Sequence, residues 1–446
     1  MRRSTHVIPA TILLLITFFC AHGQSLKDHL QKGDRFYQRK DFENALVHYL
    51  EALALEPNDP QTNYRTGMSY LNNDEYSQAV GYLEKAYQLK PDVDLDIDYY
   101  LGMAYQRDHQ FSKARTHFET VRKTNKRLAM VANQKIRQCI DADSLMKIAV
   151  NGQVRVLGSE INSPFSDLTA LFTGDQNTMV FTSNRASNEY QIKSRTNDEN
   201  VYISRKTSGA WSVPALIGDS VNVKFNEAAT FLSADGKALL LYYEDGGGDI
   251  YSAMLLDGIW SRPRPLNKFV NHPQYRESSA CLSPDGKRLF FSSNRPGGKG
   301  GFDLYVSTLG ANGEWGRPTN LGSAVNTRGD EQWPFLHADG ATLYFSSNGW
   351  ATLGEADIFK TQERDGKWSQ PQNLGYPINT SAQEGHFALS ADNRIGYFTS
   401  LRNGKNGGSD IFSVSFTLPR APRRQSSSDD EKALQNNRRT EIETIE

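Results

Sequence analysis

Five times between residues 173 and 402 the chain spells a tight turn and then an alternating apolar strand. The copies are TGDQNTMVFTSNR at 173, SADGKALLLYYED at 233, SPDGKRLFFSSNR at 283, HADGATLYFSSNG at 337 and SADNRIGYFTSLR at 390. Units recurring at 50–60 residues must stack on one another, because none buries its apolar face alone. After four of the copies a second strand opens on Asp and two apolar residues: Asp249-Ile250-Tyr251, Asp303-Leu304-Tyr305, Asp357-Ile358-Phe359 and Asp410-Ile411-Phe412. Asn200-Val201-Tyr202 is the degenerate first version. Trp211, Trp260, Trp315 and Trp368 then begin a further strand that ends near Leu216, Leu266, Leu321 and Leu374. Four strands per unit, five units in a row, predict an all-β five-bladed propeller over residues 152–416. The fifth unit stops after its third strand, near Phe416. Gln153–Gly158 matches the strand end Asn320-Leu321-Gly322, so strand 153–158 is expected to complete the last blade and leave no open edge.

A second period, of about 34, runs through residues 26–128. Gly33, Gly67 and Gly102 are followed twelve residues later by Ala45, Ala79 and Ala114, then by Tyr49, Leu83 and Phe118. Ala52 and Ala86, then Pro57 and Pro91, complete the first two copies; Val121 and Lys126 replace them in the third. Small residues let paired helices approach, large ones fill the gap, and proline ends the second helix. This pattern resembles the tetratricopeptide repeat (TPR). It predicts an α-helical solenoid over 26–148, three repeats closed by a capping helix at 127–148. The fold class expected is therefore α+β multidomain, a TPR solenoid followed by a propeller. The resemblance implies a concave groove lined by Tyr37, Tyr64, Met68, Leu71, Tyr99, Met103 and Arg107. Aromatics and methionines suit an extended or helical apolar segment of a protein partner. The same residues would equally pack on the propeller or on neighbouring helices. Leu30 and Asp34 stand where a basic clamp for a C-terminal carboxylate would begin.

Ahead of the solenoid, Arg2 and Arg3 precede an apolar run to Cys20 and then Ala21-His22-Gly23. That is the pattern of a secretory signal peptide, residues 1–23, too short to be a spanning helix. The formal charge of −1 excludes an obvious nucleic-acid binder. Cys139 and Cys281 are too few and too distant for a disulfide framework and read as buried thiols.

Sites are harder to find. SSNRPGGKGGFDLY, residues 292–305, lacks the GK[ST] and following helix of a phosphate-binding loop, so it reads as a strand connection. DVDLDID, residues 92–98, lacks the glycine and distal glutamate of a calcium loop and falls at a helix start. No GxSxG, HExxH or paired-cysteine motif appears. An acid precedes each turn aspartate by eight residues: Asp167, Glu227, Glu277, Glu331 and Glu384. Asn162, Asn222, Asn271, Asn326 and Asn379 lie just upstream of them. The rotation of the fold makes these acids a ring near one channel mouth. It is either a cation site or one structural hydrogen-bond motif used five times. Equivalent carboxylates do not supply the unequal pair that glycoside hydrolysis needs. Trp333 and Trp350 lie outside the repeated tryptophan position, as mouth aromatics or as packing between blades. No catalytic residue, metal ligand or cofactor is assigned, and the chain reads as non-enzymatic.

The SPDG-strand-GGxDLY pattern resembles the PD40 (WD40-like) propellers typified by that of the Tol system. TPR-then-propeller order resembles Bacteroidota envelope proteins, among them the periplasmic component of the type IX secretion and gliding machinery that ties an outer-membrane complex to peptidoglycan. That resemblance, covering residues 26–416, implies a periplasmic scaffold for protein partners, peripheral to the outer membrane. A glycan- or peptide-binding propeller and a secreted location are the alternatives, with a hydrolase third. Those relatives continue into a peptidoglycan-binding OmpA-like domain. Here residues 417–446, with Pro419, Pro422 and Ser426–Ser428, read as a disordered tail, so direct peptidoglycan binding is not expected.

Overall fold

A computed structural model of the chain describes residues 25–148, 150–185, 198–223, 226–244, 247–402 and 408–417. The expected signal peptide and tail lie outside these, Thr417 apart. Among the described residues seven helices come first: α1 (25–38), α2 (Phe42–Leu55), α3 (Pro60–Asn72), α4 (Tyr76–Leu89), α5 (Ile97–Arg107), α6 (Phe111–Thr124) and α7 (Ala129–Leu145). Their starts follow from the sequence. The Asp41 and Asp59 carboxylates accept the Asn44 and Thr62 N–H groups at 3.2 and 2.6 Å, and Pro60 occupies the first turn. The repeated glycines explain the helix pairing. A Cβ at Gly33, Gly67 or Gly102 would stand 2.6 Å from Tyr49, Leu83 or Phe118 respectively. Only glycine lets each large residue press against the facing backbone.

Five antiparallel sheets follow, each in strand order from the channel outward. Their innermost strands are Asp167–Phe172, Glu227–Leu232, Glu277–Leu282, Glu331–Leu336 and Glu384–Leu389. Contacts between these strands run from blade one through blade five and back to blade one, so the ring is closed. Strand β1 (Gly152–Val156) pairs with the last strand, Asp410–Phe416, in the register Gly152↔Phe416 to Val156↔Phe412. The regular strand is shorter than the 153–158 expected, though the Leu157 N–H still bonds the Ile411 carbonyl at 3.0 Å. The outermost strand also differs from expectation. In blades one, two and four it is two short pieces, such as Ala210–Trp211 and Ala215–Leu216, both paired with the third strand. In blade three Trp315 makes only an isolated bridge to Leu309.

The core consists of apolar clusters packed largely between adjacent blades, for example Phe290 and Leu304 of blade three against Leu343 and Phe345 of blade four. The helical part rests on blades four and five. Leu353 is fully buried in the helical core, Arg107 pairs with Glu355 at 2.6 Å, and the His109 ring meets Tyr376 edge-on at 5.4 Å.

Candidate functional site

The five acids that open the innermost strands are all fully buried. Four have partners of one kind. Asp167 accepts from the Ser163 N–H at 2.5 Å, Glu277 from the His272 N–H at 2.9 Å, and Glu331 and Glu384 from the Thr327 and Thr380 N–H groups at 2.8 Å. Ser293, Ser347 and Ser400 hydroxyls donate to Glu277, Glu331 and Glu384 at 2.5–2.7 Å. Arg185, Arg295 and Arg402 add ion pairs to Asp167, Glu277 and Glu384. Burial raises the carboxyls of Glu277 and Glu331 although these hydrogen bonds oppose it. Glu227 is equally buried, near Tyr243. Carboxylates so enclosed bind loops and present little to a ligand.

The upstream asparagines have a matching role. Each places its amide across the second residue of a third strand, accepting the N–H and donating to the C=O: Asn222 on Val201, Asn271 on Ile250, Asn326 on Leu304, Asn379 on Ile358 and Asn162 on Ile411, at 2.8–3.0 Å. Asn162, just before blade one, thereby grips blade five and reinforces the seam. The carbonyl preceding each asparagine is capped too, by whatever reaches it. Arg185, Arg295 and Arg402 cap Ile161, Val270 and Ile378; the Tyr243 hydroxyl caps Val221 at 2.6 Å, and Trp350 Nε1 caps Val325 at 2.9 Å. The arginines escaped sequence reasoning, although the S-x-R spelling of SNR and SLR is visible in three copies. Trp350 packs against the cluster between blades three and four.

Trp333 has a different place. Its ring meets His386 with centroids 4.3 Å apart and planes tilted by 33°, and packs so close to Gly385 that a Cβ there would meet it at 2.5 Å. The pair borders a channel cavity of about 560 Å³, lined by all five innermost strands and the turns that follow them. Leu168, Phe231, Leu282, Phe335 and Phe387 make its walls mainly apolar. Trp333 and His386 have φ of 54° and 51°, at bulges of their strands. Burial lowers the His386 imidazole to about 3, so it is neutral near pH 7. Trp333 also borders a second cavity of about 300 Å³, between α7 and blades four and five, where Lys135 faces Glu355 and Gln332.

The groove residues divide. Met68, Leu71, Tyr99, Met103 and Arg107 meet around a cavity of about 230 Å³ with Tyr76. Tyr37 and Tyr64 stand outside that lining. The Tyr37 hydroxyl accepts from Asn72 at 3.2 Å, and the Tyr64 ring lies 6.3 Å from Tyr100. Arg107 is held by Glu355, so its place in the groove is fixed by the propeller. Asp74, in the same wall, accepts the Tyr76 hydroxyl at 2.5 Å; burial raises its carboxyl, opposed by Tyr76 and Arg107.

The remaining candidates are accounted for. Asp303 takes up the N–H groups of Lys299 and Gly300 at 2.6 and 3.0 Å, which leaves the glycine-rich loop no phosphate cradle there. Asp94 accepts the Asp96 N–H, Asp96 binds Asn125 and Arg127, and Asp98 binds His117. Cys139 and Cys281 are buried free thiols, pushed up to about 12 by burial. No helix among the described residues is long and apolar enough to cross a membrane.

Residues 33–74 match the TPR repeat family. No curated protein matches the chain. Among solved structures it is similar to TolB from Acinetobacter baumannii, at 17% identity and a TM-score of 0.37. That match covers 57% of this chain and 56% of TolB, so the chain spans about half the length of TolB. It is similar at 13% identity and a TM-score of 0.37 to an α-L-arabinofuranosidase from Lactobacillus brevis, over 58% of this chain and 94% of that one. The Arabidopsis OM64 TPR domain is 18% identical with a TM-score of 0.25, over 26% of this chain and 98% of that domain.

Proposed function

We propose that this chain is a non-enzymatic adaptor of the cell envelope. The helical groove captures an apolar segment of one protein partner, and the propeller offers a rigid second surface. One observation carries this reading: Met68, Leu71, Tyr99 and Met103 converge on an open cavity whose two charged wall residues, Arg107 and Asp74, are already engaged by Glu355 and by the Tyr76 hydroxyl. Such a cavity favours an apolar occupant over an acidic one. The non-enzymatic reading draws support from the acids, all five buried and Asp167, Glu277, Glu331 and Glu384 committed to loops. The setting we propose is the periplasmic face of the outer membrane, in a secretion-associated assembly of the type IX kind. Its support is the signal-peptide pattern and the resemblance of the repeats.

Crosslinking in intact cells, then affinity capture and mass spectrometry, tests it. Wild type should recover outer-membrane or secretion proteins, with crosslinks on α3 and α5. The Leu71→Ala, Met103→Ala double variant should lose that recovery while keeping its melting temperature within a few degrees. Undiminished recovery would remove the groove from the account.

A second reading has its own observation, the Trp333–His386 pair in an apolar channel. It makes the propeller a ligand-binding module whose walls suit an apolar peptide side chain better than a glycan. Trp333→Ala should then abolish capture of such peptides from an array. Retained capture would end this reading.

A further inference from the structure

Two histidines and a glutamate converge in the first helical hairpin, where no sequence motif marks them and where sequence analysis assigned no metal ligand. His29 is on α1; His48 and Glu51 stand one turn apart on α2. The repeat itself brings them together. Gly33 lets the Tyr49 ring press on α1, so His29, one turn before Gly33, arrives beside His48, the neighbour of Tyr49. The Nδ1 atoms of His29 and His48 lie 2.7 and 3.0 Å from the same oxygen, Glu51 Oε2. All three donor atoms fall within 4.8 Å of one another. Phe36 stacks on the His48 ring at 5.6 Å and limits its rotation.

Hydrogen bonding explains only part of this. His48 bonds Glu51. His29 Nδ1 is buried and meets the same oxygen at 2.7 Å as an ion-pair contact, outside good hydrogen-bond geometry. Three donors pointed at one small volume, two imidazole nitrogens sharing one carboxylate oxygen, have the form of a coordination site.

We propose that His29, His48 and Glu51 bind a divalent transition-metal ion, with Zn²⁺ the best match to the donors. Two imidazole nitrogens and one carboxylate are a borderline set that suits Zn²⁺, whereas Ca²⁺ and Mg²⁺ take oxygen donors. Metal–donor bonds of about 2.0–2.2 Å require only that the three side chains close on a common centre. Three protein ligands leave a fourth position for water. The Glu51 side chain is 48% exposed, so an ion has access from the carboxylate side. The ion would staple α1 to α2.

The test is calorimetric titration of tag-free, chelator-treated protein with Zn²⁺, alongside melting curves with and without the metal. One equivalent should bind and raise the melting temperature. The His29→Gln, His48→Gln double variant should bind about tenfold more weakly or worse, with an unchanged metal-free melting temperature. If that variant fails to fold, Glu51→Gln, at a half-exposed position, gives the same reading. Absence of binding at roughly 100 μM Zn²⁺ overturns the proposal. So does equal affinity in the variants, which would place the ion elsewhere, or a preference for Ca²⁺ in competition.

Discussion

Glu331 and Glu384 occupy the same place in neighbouring blades, yet losing either charge should cost different amounts. Glu331 accepts from Thr327 and Ser347 alone among the bonds described, so Glu331→Gln should cost about 1–3 kcal/mol. Glu384 also faces Arg402, whose side chain is 13% exposed. Glu384→Gln strands a buried guanidinium and should cost about 3–5 kcal/mol. Urea midpoints will show the order, and equal losses would mean that Arg402 gains nothing from the carboxylate. At this scale the sequence was legible wherever a residue type recurs. The acids and asparagines recur in every blade and could be found by alignment of the copies. The carbonyl caps could not, because an arginine, a tyrosine and a tryptophan satisfy the same acceptor from different starting points. Chemistry that is conserved in role while varying in residue leaves no pattern to read. Trp333 was visible only as an oddity; its contact with the His386 ring joins two blades and has no trace in either segment alone.

The turn between first and second strands is the element most plainly written in the sequence. Ser233 and Ser283 donate to Asp235 and Asp285 at 2.5 Å, and each aspartate accepts a lysine N–H two residues on. Gly236, Gly286 and Gly340 take the left-handed position, with φ of 68–70°, while Gln176 and Asn393 accept it without glycine. The turn aspartates have a pH signature. Those hydrogen bonds lower Asp175, Asp235, Asp285 and Asp392. For Asp339 burial opposes ionisation, but Thr342, two backbone N–H groups and His337 outweigh it and bring it to about 2. A carboxyl depressed on folding stabilises above its unfolded pKa near 4, and that contribution fades as pH falls toward 2. Glu277 and Glu331, raised by burial, act in the opposite sense and above that window, as pH climbs from about 4.5. Melting temperature should therefore drop between pH 4 and pH 2, and Asp339→Asn should flatten part of that drop. An unchanged slope would show that this turn contributes nothing to acid unfolding. The outer strand was less legible: the tryptophan-to-leucine spacing marks one strand, whereas in blades one, two and four the third strand pairs with two short pieces.

Across the whole molecule, two period lengths in the sequence sufficed for the two-part architecture, but not for how the parts meet. Leu353 and Glu355 sit in a loop that no repeat rule distinguishes, yet they dock the helices to blades four and five. The Arg107–Glu355 pair is partly exposed and worth about 1 kcal/mol at most; the buried Leu353 does more. Arg107→Ala with Leu353→Ser should raise the radius of gyration measured by small-angle scattering and leave the propeller's own melting intact. An unchanged radius would mean that the contacts of His109 and Tyr376 suffice. The seam has a mechanical consequence. Residues leading into Gly152 and residues leading away from Phe416 leave the β1 pairing at the same end, where Thr417 still bonds Asn151. A pull applied between the helical part and the C-terminal segment therefore loads the bonds of that pair one after another, like a zip, rather than all together in shear. Under tension the ring would part first at its own closure, with four blades still intact.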